Sequence, residues 1–217
     1  MGLPSCLFDR SAPLVLDASV AINLNATGKC APILDAIPNP IVILDVVLGE
    51  LEAGRIKGRT DADMVEALIK SGRAQAAPLS PECEVNFLAL VCGRGSATLD
   101  DGEAATIAWA VAHGGIPIID ERKGLAICQE RFPSVQTGTT VDVLSHDDVV
   151  AAFGRYELAD AIFNALTIAR MRVHDRHIPW VVQQIGSSRA SLCHSLPLSA
   201  RTAYSSDDTR DLSAQGT

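Results

Sequence analysis

The chain has 217 residues, of which 47% are hydrophobic, 20% charged and 4% aromatic, and its formal net charge is −8. That length holds one domain with extensions or at most two small ones, and the aliphatic content supports a packed core, which excludes an intrinsically disordered chain. The acidic balance excludes a broad basic face that grips duplex DNA through many phosphates, but leaves nucleic acid open as a substrate where a bound cation offsets a local acidic cluster.

Six cysteines stand at positions 6, 30, 83, 92, 128 and 193, with no CxxC pair among them. A chain with this core needs no disulfide staples, so reduced thiols are expected. Met1 to Arg10 lacks a charged leader followed by an apolar run, and no segment approaches the ~20 apolar residues of a membrane span. A cytoplasmic protein without membrane contact is expected.

In chain order, "PLVLDA" at 13–18 reads as a short strand, apolar on both faces as buried parallel strands are. "SVAINLNATG" fits a helix stopped at Gly28. Ile41 to Leu44 forms a second apolar strand, after which the spacing turns helical, with Asp45 as N-cap. "RTDADMVEALIKSG" gives another helix ending at Gly72, and "SPECEVNFLALVCGRG" one more, with Ser80-Pro81 as N-cap and first turn. "LDDGEAATIAWAVAHGG" is a helix with an acidic first turn, an alanine-rich body and two glycines at its end. "IPII" follows as a strand running into Asp120. "ERKGLAICQERF" reads as helix, "SVQTG" as a short strand and "TTVDVLSHDDVVAAF" as a further helix. Strands alternating with helices imply an α/β domain with a mainly parallel sheet. The expected organisation is an N-terminal tail over 1–12, the α/β domain over 13–153, an amphipathic helical extension over 154–185, and a disordered tail over 186–217.

Four acids recur in related positions. Asp17 ends the first strand and Asp120 follows "IPII". Glu50 lies in the helix after Leu44, and Glu103 falls in the first turn of the "GEA" helix. Ligands of open parallel sheets bind beyond the carboxyl ends of the strands, where these acids can meet. Two like charges ~4 Å apart repel by roughly 4 kcal/mol at an effective dielectric near 20, so four together call for a cation. Oxygen donors without interleaved His or Cys point to Mg²⁺ or Mn²⁺, and the chemistry implied is phosphodiester hydrolysis. Each acid also has a local reading: Asp17 as a helix cap, Glu103 as an acid at the positive end of its helix. Glu52 competes with Glu50, and Glu121 with Asp120.

The stretch "LVLDASVAIN … VVLGELEAG … LDDGEAATIAWAVAHGGIPIIDERKGLAI … VQTGTT" resembles PIN-domain ribonucleases, especially VapC-like toxin relatives, from about Leu14 to about Leu144. The resemblance implies a PIN-like three-layer α/β/α fold with a mainly parallel central sheet, here followed by a C-terminal helical extension. It implies Mg²⁺- or Mn²⁺-dependent cleavage of RNA, with Asp17, Glu50, Glu103 and Asp120 as the catalytic acids. Asp17, Glu103 and Asp120 are the expected metal ligands, and Glu50 a ligand or water-positioning group. Ser19 is expected at the substrate-binding site, hydrogen-bonding Asp17 or a metal-held water. Arg122 and Lys123, directly after Asp120, are expected to meet a substrate phosphate. A homodimer and an antitoxin partner also follow from the resemblance alone. The chain departs from the common toxins in extending past residue 150, in adding Asp100 and Asp101 beside Glu103, and in its "IDERKG" strand ending.

Two other classes fit the residues less well. A receiver-type signalling domain needs an acid pair near the first strand, a phospho-accepting Asp after the third and a lysine after the fifth; here the first strand has a single Asp17, and no lysine stands at a convincing late strand end. A PIN fold retained as a silent binding module differs from an enzyme only in activity. His174, His177, Cys193 and His194 lack the ligand spacing of a zinc site.

Overall fold

Short aliphatic runs build the sheet. The structure is a computed structural model that describes residues 7, 9–92 and 98–202. β1 (Leu14–Leu16), β2 (Ile41–Leu44), β3 (Gln75–Ala77) and β4 (Ile116–Ile118) form one sheet in the order β3-β2-β1-β4, with every pairing parallel. β1, β2 and β4 are buried along their whole length, as parallel strands covered by helices on both faces must be.

α1 (Ala18–Ala26) and α2 (Cys30–Ala36) follow β1, and α3 (Asp45–Arg55) and α4 (Asp61–Lys70) follow β2. α5 (Glu84–Val91) and α6 (Asp101–His113) lie between β3 and β4. After β4 come α7 (Arg122–Arg131), α8 (Thr140–Leu144) and α9 (Asp147–Ala152). α10 (Arg155–Ile168), α11 (Ile178–Ile185), α12 (Ser187–Ala190) and α13 (Leu198–Thr202) form the C-terminal helical extension of a three-layer α/β/α fold. No helix among the described residues is long and apolar enough to cross a membrane.

Several elements differ from the sequence expectation for identifiable reasons. β3 is an edge strand of sequence Gln-Ala-Ala, exposed at its first two residues, and has no apolar run to announce it. "SVQTG" contributes a single parallel bridge, Gly138 to Ile118, rather than a strand. Asp45 begins α3 instead of capping it. The segment read as one helix at 139–153 breaks into α8 and α9, because Thr139 and His146 each cap a helix of their own. The tail expected from Gly186 continues into α12 and α13, anchored by buried Ala190, Cys193 and Leu196; its remainder, 203–217, lies outside the described residues. Of the expected N-terminal tail, Leu7 and Ala12 are buried in the core, while residues 1–6 and 8 lie outside the described ones. The expected helix end at 93–97 lies outside them too. The five described cysteines are all unpaired thiols.

One hydrophobic cluster joins the sheet residues Leu14 and Ile43 to Leu158, Ile162 and Trp180 of the extension. Each fully buried aliphatic side chain contributes roughly 1.5–3 kcal/mol, so α10 and α11 are fastened to the sheet unit by apolar burial. A second cluster, with Leu90, Ile107, Ile119 and Cys128, ties α5, α6 and α7 together. The chain runs outward from β1 through β2 to β3, then returns to place β4 on the other side of β1. That reversal opens a crevice at the carboxyl ends of β1 and β4, where ligands of such sheets bind.

Candidate active site

Asp17 is the first residue past β1, and its backbone N–H donates to the Ile118 carbonyl of β4 at 3.2 Å. Its extended backbone makes it the N-cap of α1, and its Oδ2 accepts the Ser19 N–H at 3.1 Å and the Ser19 hydroxyl at 2.6 Å. Asp17 thus caps the helix, and Ser19 holds its carboxylate in place.

Glu50 and Glu103 come from helices that meet over the sheet. Asp100 caps α6 by accepting the Glu103 N–H at 2.9 Å, and this sets the acidic first turn of α6 beside α3. The Glu50 carboxylate lies over Gly102 and accepts its backbone N–H. Gly124 of α7 does the same service for Glu103: a Cβ there would stand 3.0 Å from Glu103 Oε1. Both glycines leave room that a side chain would fill. Glu52, the competing acid on α3, turns away and pairs with Arg55 at 2.8 Å.

The fields of these groups reinforce one another. Burial, then Asp100 and Asp17, raise Glu103 to about 8, with Glu121 adding to the effect and Lys123 opposing it. Burial, then Asp100 and Asp17, raise Glu50 to about 6 against the Gly102 N–H. Asp17 is raised by burial, which its Ser19 hydrogen bonds oppose. The structure thus brings Asp17, Glu50 and Glu103 into one electrostatic neighbourhood and adds Asp100, which sequence reasoning registered only as extra charge. An acid three residues before a helix glutamate, in N-cap position, was the signal for it.

Asp120 stands two residues past β4 and is 2% exposed. Its Oδ1 accepts the Thr140 N–H at 2.8 Å; its Oδ2 accepts the Thr140 hydroxyl at 2.5 Å and the Asn23 amide at 2.7 Å. Burial raises it, and Thr140, Asn23 and His174 offset this. Burial, and after it these neighbours, act on Asp120 more strongly than the other acids do. Glu121, its competitor, is the one whose field reaches Glu103, and it is held by Arg172. Arg122 is exposed and pairs with Asp175 at 2.7 Å. Lys123 is exposed within the field of Glu103. Asn23 and Thr140, which hydrogen-bond the Asp120 carboxylate, lie inside the "LVLDASVAIN" and "VQTGTT" stretches but are not singled out there as site residues, and His174, which meets the Asp120 carbonyl, is weighed in the sequence only for zinc.

The donor set is all oxygen, and repulsion from Asp100 and Asp17 joins burial in holding two glutamates well above the ordinary carboxylate range. Those properties fit a hard divalent cation. Among the described residues, no three Asp, Glu, His or Cys side chains stand close enough together to hold one ion as they are arranged.

A family model, DUF3368, described as a PIN domain, matches residues 13–187. No curated protein matches the chain in sequence. Among solved structures, a chain of the crystal structure of VapBC2 from Rickettsia felis bound to a DNA fragment from their promoter is similar at 15% identity and a TM-score of 0.44, over 59% of this chain and 98% of that one.

Proposed function

The chain belongs to the PIN-domain family, and from that footing we propose that it is a metal-dependent endoribonuclease that hydrolyses RNA phosphodiester bonds. The observation that carries this reading is the mutual field of Asp17, Glu50, Asp100 and Glu103 at the carboxyl ends of parallel strands. A fold spends stability to hold like charges together, and a site that uses them is the usual return.

In this proposal Asp17, Glu103 and Asp120 hold Mg²⁺ or Mn²⁺, and Glu50 orients the attacking water. The ion, when bound, polarises a phosphoryl oxygen and stabilises the departing one. The remaining work belongs to the chain's own residues. Ser19 fixes Asp17, Asn23 and Thr140 fix Asp120, and Gly102 and Gly124 give Glu50 and Glu103 their places. Lys123, beside Glu103, and Arg122 offer positive charge to a substrate phosphate.

The test is incubation of purified protein with single-stranded RNA in Mg²⁺, in Mn²⁺ and in chelator. Cleavage that requires either ion and is lost in Asp17→Asn supports the proposal. Cleavage that ignores chelator and survives Asp17→Asn defeats it.

A second reading, a silent PIN-fold binding module, is favoured by one observation: both oxygens of Asp120 are taken by protein donors, and among the described residues no three ligand groups are yet close. It expects RNA or protein binding without cleavage under any divalent ion. The finer proposal, that the protein is the cytoplasmic toxin of a toxin-antitoxin pair, a homodimer restrained by an antitoxin, rests on the sequence resemblance. It expects growth arrest on expression, relieved by the product of a neighbouring gene.

A further inference from the structure

Left-handed backbone is left to glycine, among the described residues, with one exception. Among the described residues, positive φ occurs at five glycines and at Arg170, whose φ is 56°. Arg170 turns the chain out of α10, after the cap residue Ala169, while the Met171 N–H reaches back to the Ala165 carbonyl at 3.0 Å. Glycine takes that conformation without steric cost. What the position gains from arginine is the side chain, which is exposed and has no hydrogen-bond or ion-pair partner among the described residues.

Arg170 stands where three hollows meet. The first, between α1, the α3–α4 connection and the end of α10, has Arg59 and Arg170 in its wall. The second shares both arginines, adds Arg172, and has Ser19, Asn23 and Asp120 in its lining. The third shares Arg170 and Arg172 and runs outward past His194. Together they form a trough that passes the carboxyl end of β4. Arg172 is paired there with Glu121 on the solvent side, a contact weak enough for a phosphate to replace, and Arg59 is half exposed beside the largely covered Asp61. Three arginines gather on one path in a chain whose net charge is −8. Three contacts suit a single strand better than the many-phosphate grip a duplex requires.

We propose that this trough takes the phosphodiester backbone of single-stranded RNA, with Arg170 and Arg172 contacting phosphates that flank the nucleotide lying over Ser19 and Asp120. The inference rests on the ribonuclease reading and assigns its substrate path to the C-terminal extension.

The experiment measures binding of a fluorescent oligouridine of roughly 16 nucleotides to the full chain in chelator, across a salt series, so that no cleavage intervenes. Arg170→Gly is the informative variant, because it relieves the left-handed strain and is expected to melt at or above the wild-type temperature. Weakening on the order of tenfold, with a salt dependence shallower by roughly 0.7 for each phosphate no longer neutralised, supports the proposal, since a more stable protein has not lost binding by unfolding. Arg172→Ala is expected to act likewise, Arg170→Lys to retain most of the binding, and Arg10→Ala, on a distant salt bridge to Asp148, to change nothing. Unchanged affinity and salt slope in Arg170→Gly, in a protein that still cuts RNA, overturns this inference alone. A wild-type chain that neither binds nor cuts RNA overturns the ribonuclease reading and this inference with it. A gain of RNA affinity in Arg170→Gly, alongside lost binding of an acidic peptide, assigns the trough to a protein partner and also overturns it.

Discussion

A β-carbon on Gly102 would overlap the carboxylate of Glu50. The second residue of α6 and a side chain of α3 therefore share one volume, and glycine is what lets the acid lie against the helix N-terminus. Alanine at a helical position stabilises by up to ~1 kcal/mol over glycine, so Gly102→Ala is expected to leave the melting temperature unchanged or raised. It also pushes Glu50 aside, and a misplacement of about 1 Å in a catalytic group costs on the order of a hundredfold in rate. A melting curve alongside a cleavage assay separates the two effects. An unchanged rate in a stable Gly102→Ala protein would mean that the place of Glu50 is immaterial.

The raised acids give the ion-free protein a pH signature. Glu103 and Glu50 bind their protons more tightly folded, at about 8 and about 6, than at their ordinary 4.5. Between those values the folded state holds more protons than the unfolded one, so stability falls as pH rises. The contribution is complete below about pH 4.5 and is lost through pH 6 and then pH 8. In chelator, melting temperatures are expected to decline from about pH 5 to about pH 9, and the decline to be smaller in Glu103→Gln. Saturating Mn²⁺ should flatten it. A wild-type profile parallel to that of Glu103→Gln would remove the basis for the shift.

Thr140 is fully buried and donates both its N–H and its hydroxyl to Asp120. Thr140→Val keeps the shape but leaves a buried carboxylate oxygen with one donor fewer, a loss of ~1–3 kcal/mol. Denaturant unfolding is expected to shift its midpoint accordingly at neutral pH, and less in the Asp120→Asn background, because the two residues share one interaction. Equal shifts in both backgrounds would deny the coupling.

Asp142 fastens the segment between α10 and α11 to α8. It accepts the Thr139 hydroxyl at 2.7 Å, Arg176 at 2.9 Å and His177 at 3.1 Å, while being 3% exposed. Removing Asp142 leaves the buried donors of Thr139 and His177 without their acceptor, at about 1–3 kcal/mol each, while Arg176 stays half in solvent. Asp142→Ala is expected to destabilise by that order and to speed amide exchange across 170–177 ahead of the sheet. Exchange that rises uniformly through the molecule would show that Asp142 is no local latch.

Much of this architecture was legible because physical necessity wrote it locally. "LVL", "IVIL" and "IPI" are short aliphatic runs, each followed by an acid or an acid-bearing helix, and they are the three buried strands. The helix of Glu103 was equally plain, since an acidic start and a terminal glycine bracket it. β3 was illegible because an exposed edge strand needs no apolar side chains. The hydrogen-bond partners of Asp120 were hidden for another reason. Asn23 lies 97 residues away from it and Thr140 20 residues away, and tertiary hydrogen bonds leave no periodicity in the chain. Asp100 shows in the sequence only as extra charge, because a helix cap and a member of an acidic cluster look alike until α3 and α6 are set side by side. The tail from Gly186 read as disorder because helices of four or five residues have too few positions to show an amphipathic face.

Calorimetric titration of Mn²⁺ into the wild-type chain, Asp17→Asn and Glu103→Gln tests the central claim most directly. Saturable binding to the wild type, weakened at least about tenfold by either substitution in proteins that melt normally, is the expected result; loss of one of two or three ligand charges is worth that much or more. Equal Mn²⁺ affinity in all three proteins, or none in the wild type, would contradict the view that these carboxylates gather to hold a divalent ion.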